Sequence, residues 1–433
     1  MKKTAYIAAA LFFALQSGAV RAEDEEDVSL TDRLYDDYGI EALGFAETRW
    51  GTRLVDDENE DTLSIGEARV QVQLDRDFDS FQIQFKGDLL ADAVTEELDA
   101  DIRNLSLSFS PSDEVDVKLG RMVSTWGTGD LVFINDMFPK DWQSFFIGRD
   151  DEYLKQASNS IRTGLFLGDY TIDVVYTPRF QGSEFVSGER LSYFNPGAGR
   201  IVGQNMVMDD DEPDQYFKDD ETAVRLSSRF GGVKAELYGY MGFWQEPEGM
   251  DASTGKAIFP HLNVWGASAR SPLLGGIGNV ELGYYDSFDD DEGRNPYIRP
   301  SEYRFLVGFE RELVPKFVSE LTGGFQYYLE VIDEYENYEQ TVAPGMEARD
   351  EYRQMLTMRL TKLMMQQTLT LSLFVYYSPT DQDGYVRPKV RYKLTDNWLL
   401  DGGFNLFFGE DEHTVWGRFQ DNTNAFVGVR YSF

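Results

Sequence analysis

From residue 41 to its end, the chain alternates apolar and polar residues with a period of two, segment after segment, with no sustained helical period between them. In the last segment Ala425, Val427, Val429, Tyr431 and Phe433 share one face, and Phe426, Gly428, Arg430 and Ser432 share the other. The same division separates Leu369, Leu371, Leu373, Val375 and Tyr377 from Thr370, Ser372, Phe374 and Tyr376. It also separates Val233, Ala235, Leu237, Gly239 and Met241 from Lys234, Glu236, Tyr238 and Tyr240. Strands are expected near 41–55, 62–76, 79–91, 101–110, 115–124, 159–167, 169–179, 222–231, 233–245 and 260–271. Others follow near 276–288, 302–313, 317–332, 350–363, 366–378, 384–394, 396–409 and 420–433, which makes eighteen, with sixteen as the alternative count.

The connections alternate too. Long stretches, most of them acidic, lie at 56–61, 92–100, 125–158, 180–221, 246–259, 287–301, 333–349 and 410–419, with one short exception at 379–383. Between them come brief turns such as Ser110-Pro111-Ser112-Asp113, Gly168-Asp169, Gly231-Gly232 and Thr395-Asp396. Long loops on one side and short turns on the other are the mark of an outer-membrane barrel rather than a soluble sandwich. Hydrocarbon offers the backbone no hydrogen-bond partner, so every strand edge must be paired and the sheet must close. The fold class expected is therefore all-β: a transmembrane antiparallel β-barrel occupying 41–433.

The first residues fit an exported protein. Lys2 and Lys3 precede an apolar run from Ala5 to Leu15, and Val20-Arg21-Ala22 suits a signal peptidase, so 1–22 reads as a signal peptide. The run is too short for a membrane anchor. Residues 23–40 are then an acidic periplasmic segment, too short for a plug domain. The terminal Phe433, with Tyr431 before it, resembles the signal read by the bacterial barrel-assembly machinery. Aromatic residues at strand ends, among them Tyr303, Tyr377, Tyr392, Trp398 and Phe408, suit interfacial girdles.

Composition excludes more than it proves. The net charge of −36 makes the chain a poor nucleic-acid binder, and its acid lies in runs at 24–27, 56–61, 209–214, 289–292 and 410–412 that suit solvated loops. There is no cysteine, hence no disulfide or thiolate metal site. The two histidines, His261 and His413, have no accompanying nucleophile motif, so no enzyme, cofactor or metal is expected. The acidic outer loops suit lipid and lipopolysaccharide bridged by divalent cations.

With the apolar face outward, the other face gives a wall that is more basic than the chain as a whole. Arg387, Lys389, Arg391 and Lys393 fall along one strand, about 7 Å apart. Arg353 and Arg359 join them from a neighbour, and Arg69, Lys86, Arg162, Arg179, Arg225, Arg229, Arg304 and Arg430 from elsewhere. Inward acids are Glu67, Asp75, Asp88, Asp173, Glu236, Glu281, Glu310, Glu320, Glu330 and Asp401, and cross-strand pairing is the competing account of all these charges. The row at 387–393 has one local acid, Asp401, so a basic stripe attractive to anions is expected there. Strand 41–55 is ambiguous, because Glu47 and Arg49 share the parity of Leu43 and Phe45.

One stretch breaks the alternation for more than thirty residues: Arg121 to Ser158, the third outer loop. Trp126, Trp142, Phe145 and Phe146 are too apolar for a fully solvated loop, so it is expected to fold into the lumen rather than cap the outside. Asp130, Asn135, Asp136, Lys140, Asp141, Arg149, Asp150 and Asp151 would then line a constriction.

Gly120-Arg121, Trp126-Gly127-x-x-Asp130, Asn135 and Pro139-x-Asp141 resemble a porin-like family of Gram-negative outer-membrane proteins whose members are uncharacterised. There a G-R-Q-x-x-x-W-G-x-x-D strand end leads into N-P-x-D; here Met122 replaces the Gln, and Asp136-Met137-Phe138 is inserted before the proline. The resemblance implies transport of an unassigned, sometimes hydrophobic or aromatic, substrate. A passive channel for small solutes is expected, with anionic or aromatic organic compounds as candidates and a monomer or trimer as its state. The alternatives are a gated transporter of hydrophobic solutes, a closed structural or adhesive barrel, and an outer-membrane hydrolase.

Overall fold

The computed structural model describes residues 30–290, 292–313, 319–342 and 347–433. The expected signal peptide lies outside them; of the segment 23–40, Leu30–Tyr38 form a helix, α1. Eighteen barrel strands follow among the described residues. They are β1 (Glu41–Arg53), β2 (Leu63–Asp77), β3 (Gln82–Asp92), β4 (Leu98–Ser112), β5 (Val115–Val123) and β6 (Ala157–Leu167). Next come β7 (Tyr170–Thr177), β8 (Glu221–Phe230), β9 (Val233–Phe243), β10 (His261–Leu273), β11 (Gly276–Ser287) and β12 (Glu302–Glu312). The circuit ends with β13 (Leu321–Ile332), β14 (Tyr352–Met364), β15 (Leu369–Ser378), β16 (Asp383–Lys393), β17 (Trp398–Phe408) and β18 (Asn424–Ser432).

Each strand pairs antiparallel with the next, and β18 returns to β1 with Glu47 opposite Arg430 and Thr48 opposite Val429. The Gly44 and Phe433 backbones exchange hydrogen bonds of 3.0 and 2.9 Å and complete the seam. Closure leaves none of the eighteen described barrel strands at a sheet edge. β7 and β8 are neighbours despite the long excursion between them, with Arg225 opposite Asp173.

Exposure alternates along the strands as the pleat requires. On β11, Val280 and Leu282 are 46% and 47% exposed while Glu281 between them is 2% exposed. Short turns such as 113–114, 168–169 and 231–232 lie at the end where the barrel begins and closes, and the long loops at the other.

One ambiguity of the sequence is resolved, on β1, and two details, Arg179 and Glu320, differ from expectation. On β1 the odd positions face inward: Phe45, Glu47 and Arg49 are buried, while Trp50 is exposed. The outward positions Ala42, Gly44, Ala46 and Thr48 are small, so hydrophobicity does not reveal the parity; the Arg430 guanidinium, 3.9 Å from the Phe45 ring centre, and the Glu47 carboxylate fix it. Arg179 lies beyond the end of β7, exposed and stacked on Tyr216, because the strand stops at Thr177. Glu320 sits in the turn before β13, exposed and with φ of 57°, rather than on the wall.

Candidate functional site

The non-alternating segment begins where β5 ends. Gly120 has φ of 124°, and a Cβ there would lie 2.1 Å from the Leu105 carbonyl oxygen, so only glycine fits. Trp126 then packs edge-on against Phe138, 5.1 Å between ring centres, beneath the Arg225 guanidinium. Gly127, with φ of 82°, turns the chain toward Glu281.

Glu281 is the hub of this part. Its carboxylate accepts five hydrogen bonds: from the backbone N–H of Thr128, Gly129 and Asn135, from the Thr128 hydroxyl, and from Asn135 Nδ2, at 2.8 to 3.0 Å. Asn279 completes the hold by donating to the Thr128 carbonyl. A carboxylate is acceptor-only and a turn supplies donors, which is why the two suit each other.

Further along, Asp130 pairs with Arg359 at 2.7 Å and its N–H donates to Gln326. The Tyr376 and Tyr285 hydroxyls donate to the carbonyls of Leu131 and Ile134. Asp136 and Lys140 form a buried ion pair at 3.2 Å, and Lys140 also donates to the Phe138 carbonyl. Asp141 caps a short helix, α2 (Trp142–Ile147), by accepting from the Ser144 N–H. This helix buries Phe145, Phe146 and Ile147, and Phe146 packs among Tyr385, Phe407, Trp416 and Phe419.

Beyond α2 the segment is pinned by charge. Arg149 pairs with Glu67 at 2.6 Å and approaches Asp92 and Asp141. Asp150 lies 3.7 Å from Arg391 and 3.6 Å from Arg430. Asp151 pairs with Arg387 at 2.7 Å and Lys389 at 3.4 Å. Burial opposes the charge of Asp151, but Arg387 and Lys389 outweigh it and hold the carboxyl well below the usual carboxylate range. The Glu184 carbonyl of 178–220 accepts from the Trp142 N–H at 3.1 Å and ties that loop to α2.

Comparison of the sequence with protein families and with curated proteins finds no match. Among solved structures, the chain resembles OccAB3 of Acinetobacter baumannii, at 9% identity over 91% of this chain and 99% of that one, with a TM-score of 0.52. It also resembles OccD3 (OpdP) of Pseudomonas aeruginosa, at 8% identity over 92% and 91% with a TM-score of 0.53, and OccK5 (OpdH), at 10% over 91% and 98% with a TM-score of 0.53. The likeness is one of fold.

Within that fold the wall cations have specific partners. The row expected to be short of local acid receives it from a distance: Asp150 and Asp151 of the segment face Arg387, Lys389 and Arg391, while Asp401 is taken by Arg49 at 2.9 Å. Lys393 is exposed near the following turn. Arg353 pairs with Asp381 and Arg304 with Glu302, within a cluster that also holds Arg299 and Glu330. Arg225 bridges Asp173 and Glu236, whereas Arg229 is exposed beside the 231–232 turn. Arg430 joins Glu47 to Asp150. His261 lies against Asp289 and Phe243, and His413 against Glu347 and Phe194.

Sequence reasoning placed Asn135 in the constriction loop and had Asp136, Lys140 and Asp141 face its opening, but Asn135, Asp136 and Lys140 are buried and Asp141 serves as a cap; their polar atoms hold the segment in shape. It missed the roles of Glu281, Glu67, Gln326, Tyr376 and Arg190 as anchors. Glu67 and Glu281 were legible as inward acids, but their partners lie 82 and 146 or more residues away. Nothing in the sequence marks Arg190 apart from other loop cations.

Proposed function

We propose that the chain is a porin in the outer membrane of a Gram-negative bacterium, a passive channel for small solutes in which segment 124–156 forms the constriction. The apolar outward face and the closed ladder meet what hydrocarbon demands of a spanning sheet. Outer-membrane lipid, lipopolysaccharide and the barrel-assembly machinery are then its surroundings and partners. The observation that carries the proposal is the distribution of the segment's anchors. Its contacts go to the enclosed faces of β1, β2, β11, β13, β14, β15, β16 and β18, so they run around the circuit instead of along one rim. A segment held in that way crosses the lumen.

The groups bordering water at this level are charged. The side chains of Asp151, Arg391, Arg359 and Asp130 are 57%, 42%, 38% and 35% exposed. Cations gather on β14, β16 and β18, and carboxylates on the segment facing them. A solute passing between them experiences a field across its path, which suits small charged organic molecules, anionic ones with an aromatic body included. A second reading, a barrel that conducts only when the segment shifts, is favoured by the buried aromatic packing of Phe146 with Trp416 and Phe419.

The test is the reversal potential of the purified barrel in a planar bilayer under a salt gradient. Replacing Arg387 and Lys389 by Ala removes two lumen cations and leaves Asp151 unpaired. The chloride-to-potassium permeability ratio is expected to fall roughly two- to fivefold, the effect of about 0.5–1 kcal/mol, because the enclosed cations no longer neutralise the half-exposed Asp151 carboxylate that borders the water. A folded variant with the wild-type ratio would count against the proposal, as would a folded wild type that never conducts.

A further inference from the structure

Above the constriction, three long loops meet at a junction whose charges are poorly matched. Arg53, the last residue of β1, donates to the carbonyls of Asp61 and Leu63 and, at 2.5 Å, to the carbonyl of Arg190 in loop 178–220. Its guanidinium stands 3.9 Å from Asp57 and 3.8 Å from Glu60, and all three side chains are at most 2% exposed. Those separations are too long for hydrogen bonds. Arg53 Nε, Asp57 Oδ2 and both carboxylate oxygens of Glu60 are buried without a hydrogen-bond partner.

The loops are nevertheless in close contact here. Asn205 Nδ2 donates to Asn59 Oδ1 at 2.9 Å, and a Cβ on Gly203 would lie 2.5 Å from Glu60 Oε1. Glu60 faces Arg53 from β1, Asp57 from its own loop and Gln204 from loop 178–220, while Asp421 of 409–423 comes up beside Asp57. The junction is one residue away from the constriction. The Arg190 that receives Arg53 on its carbonyl places its own guanidinium on Glu67 and Asp92, two of the three carboxylates around Arg149 of segment 124–156.

We propose that Arg53, Asp57 and Glu60 form a proton-operated latch through which loop 178–220 holds segment 124–156 across the lumen, closed when Glu60 is protonated. This rests on the channel reading above. A neutral Glu60 fits its dry site, whereas an ionised one, beside Asp57 and too far from Arg53 to bond, must draw in water or swing out. Either movement separates loop 54–62 from Gly203 and Asn205 and loosens Arg190. Burial first, with Arg53 and the N–H groups of Gln204 opposing and Asp57 adding, pushes the Glu60 carboxyl up to about 7, and burial with Asp57 and Glu412 pushes Asp421 up to about 6. A raised carboxyl contributes its stability below its unfolded value, about 4.3, and loses it as the pH rises through about 7. The latch is therefore tight in acid and loose at alkaline pH.

The experiment is single-channel conductance against pH for wild type, Glu60→Gln and the pair Asn59→Cys with Asn205→Cys, in a chain that has no other cysteine. Wild-type open probability is expected to rise roughly threefold or more between about pH 5.5 and 8.5, in line with the titration of one group. Glu60→Gln should stay at the acid level throughout. The oxidised cysteine pair should do the same, and reduction should restore the slope. A wild type without pH dependence, or a Glu60→Gln chain with the wild-type slope, would overturn the latch while leaving the channel intact. If a folded wild type conducts at no pH, the channel reading fails, and the latch is read instead by hydrogen exchange over 124–156 and 186–206. After correction for intrinsic rates, exchange should be faster at pH 8 than at pH 6 in wild type and not in Glu60→Gln; equal protection at both would overturn it.

Discussion

Glu281→Ala is expected to lower the stability of the folded barrel by about 3–5 kcal/mol and to enlarge its conductance. A buried N–H stripped of its acceptor costs about 1–3 kcal/mol, and the substitution strips three: that of Asn135, which is buried, and those of Thr128 and Gly129, which are partly buried and cost about 1 kcal/mol each. Water entering the vacated space recovers part of that sum, which sets the upper bound. The end of the segment near Gly127 and Gly129 then keeps the Asn279 bonds, the Asp130 contacts and the packing of Trp126 on Phe138 under Arg225. Urea unfolding followed by heat-modifiable gel migration gives the stability change. Asn279→Ala, which loses the bonds to Thr128 only, should cost about 1 kcal/mol and serves as the scale. A Glu281→Ala barrel as stable as Asn279→Ala would mean that the carboxylate is not the hub described.

Glu67→Ala should be comparably severe for a different reason. Glu67 contacts Arg69, Arg149 and Arg190 at 3.6, 2.6 and 3.2 Å, and these guanidinium groups are almost wholly enclosed. Removing it leaves Asp92, Asp88 and Asp141 to balance them. Breaking a buried charge pair from one side costs about 3–5 kcal/mol, because the remaining charge is left without compensation. Glu67→Gln should fall between Glu67→Ala and wild type, since it keeps an acceptor but not the charge. The same substitution releases loop 178–220 and the segment together, so hydrogen exchange should accelerate in both. Acceleration confined to 124–156 would show that Arg190 is held by other contacts.

The strands were far more legible than the site. Alternation placed β9 near 233–245 against the observed Val233–Phe243, and β16 near 384–394 against Asp383–Lys393, because the pleat imposes its period on any strand with one face in water and one in oil. It failed on β1, where Ala42, Gly44, Ala46 and Thr48 carry too little hydrophobicity to declare a side and Phe45 lies inside under Arg430. The anchors of the segment were hidden for another reason. Asp151 neutralises Arg387 across 236 residues of sequence, and such pairs leave no periodic trace. The motif residues Gly120, Trp126, Gly127, Asp130, Asn135 and Asp141 stood out from the sequence. Their work is to turn, anchor and cap the segment.

The measurement that bears most directly on the central claim uses the absence of cysteine. In an Asp151→Cys chain the only thiol sits on the half-exposed edge of the segment, where a sulfonate-bearing thiol reagent can reach it through water. If segment 124–156 lies in the conducting path, labelling must reduce single-channel current in discrete steps, and reduction must restore it. Complete labelling with unchanged current would place the segment outside the path and contradict the account.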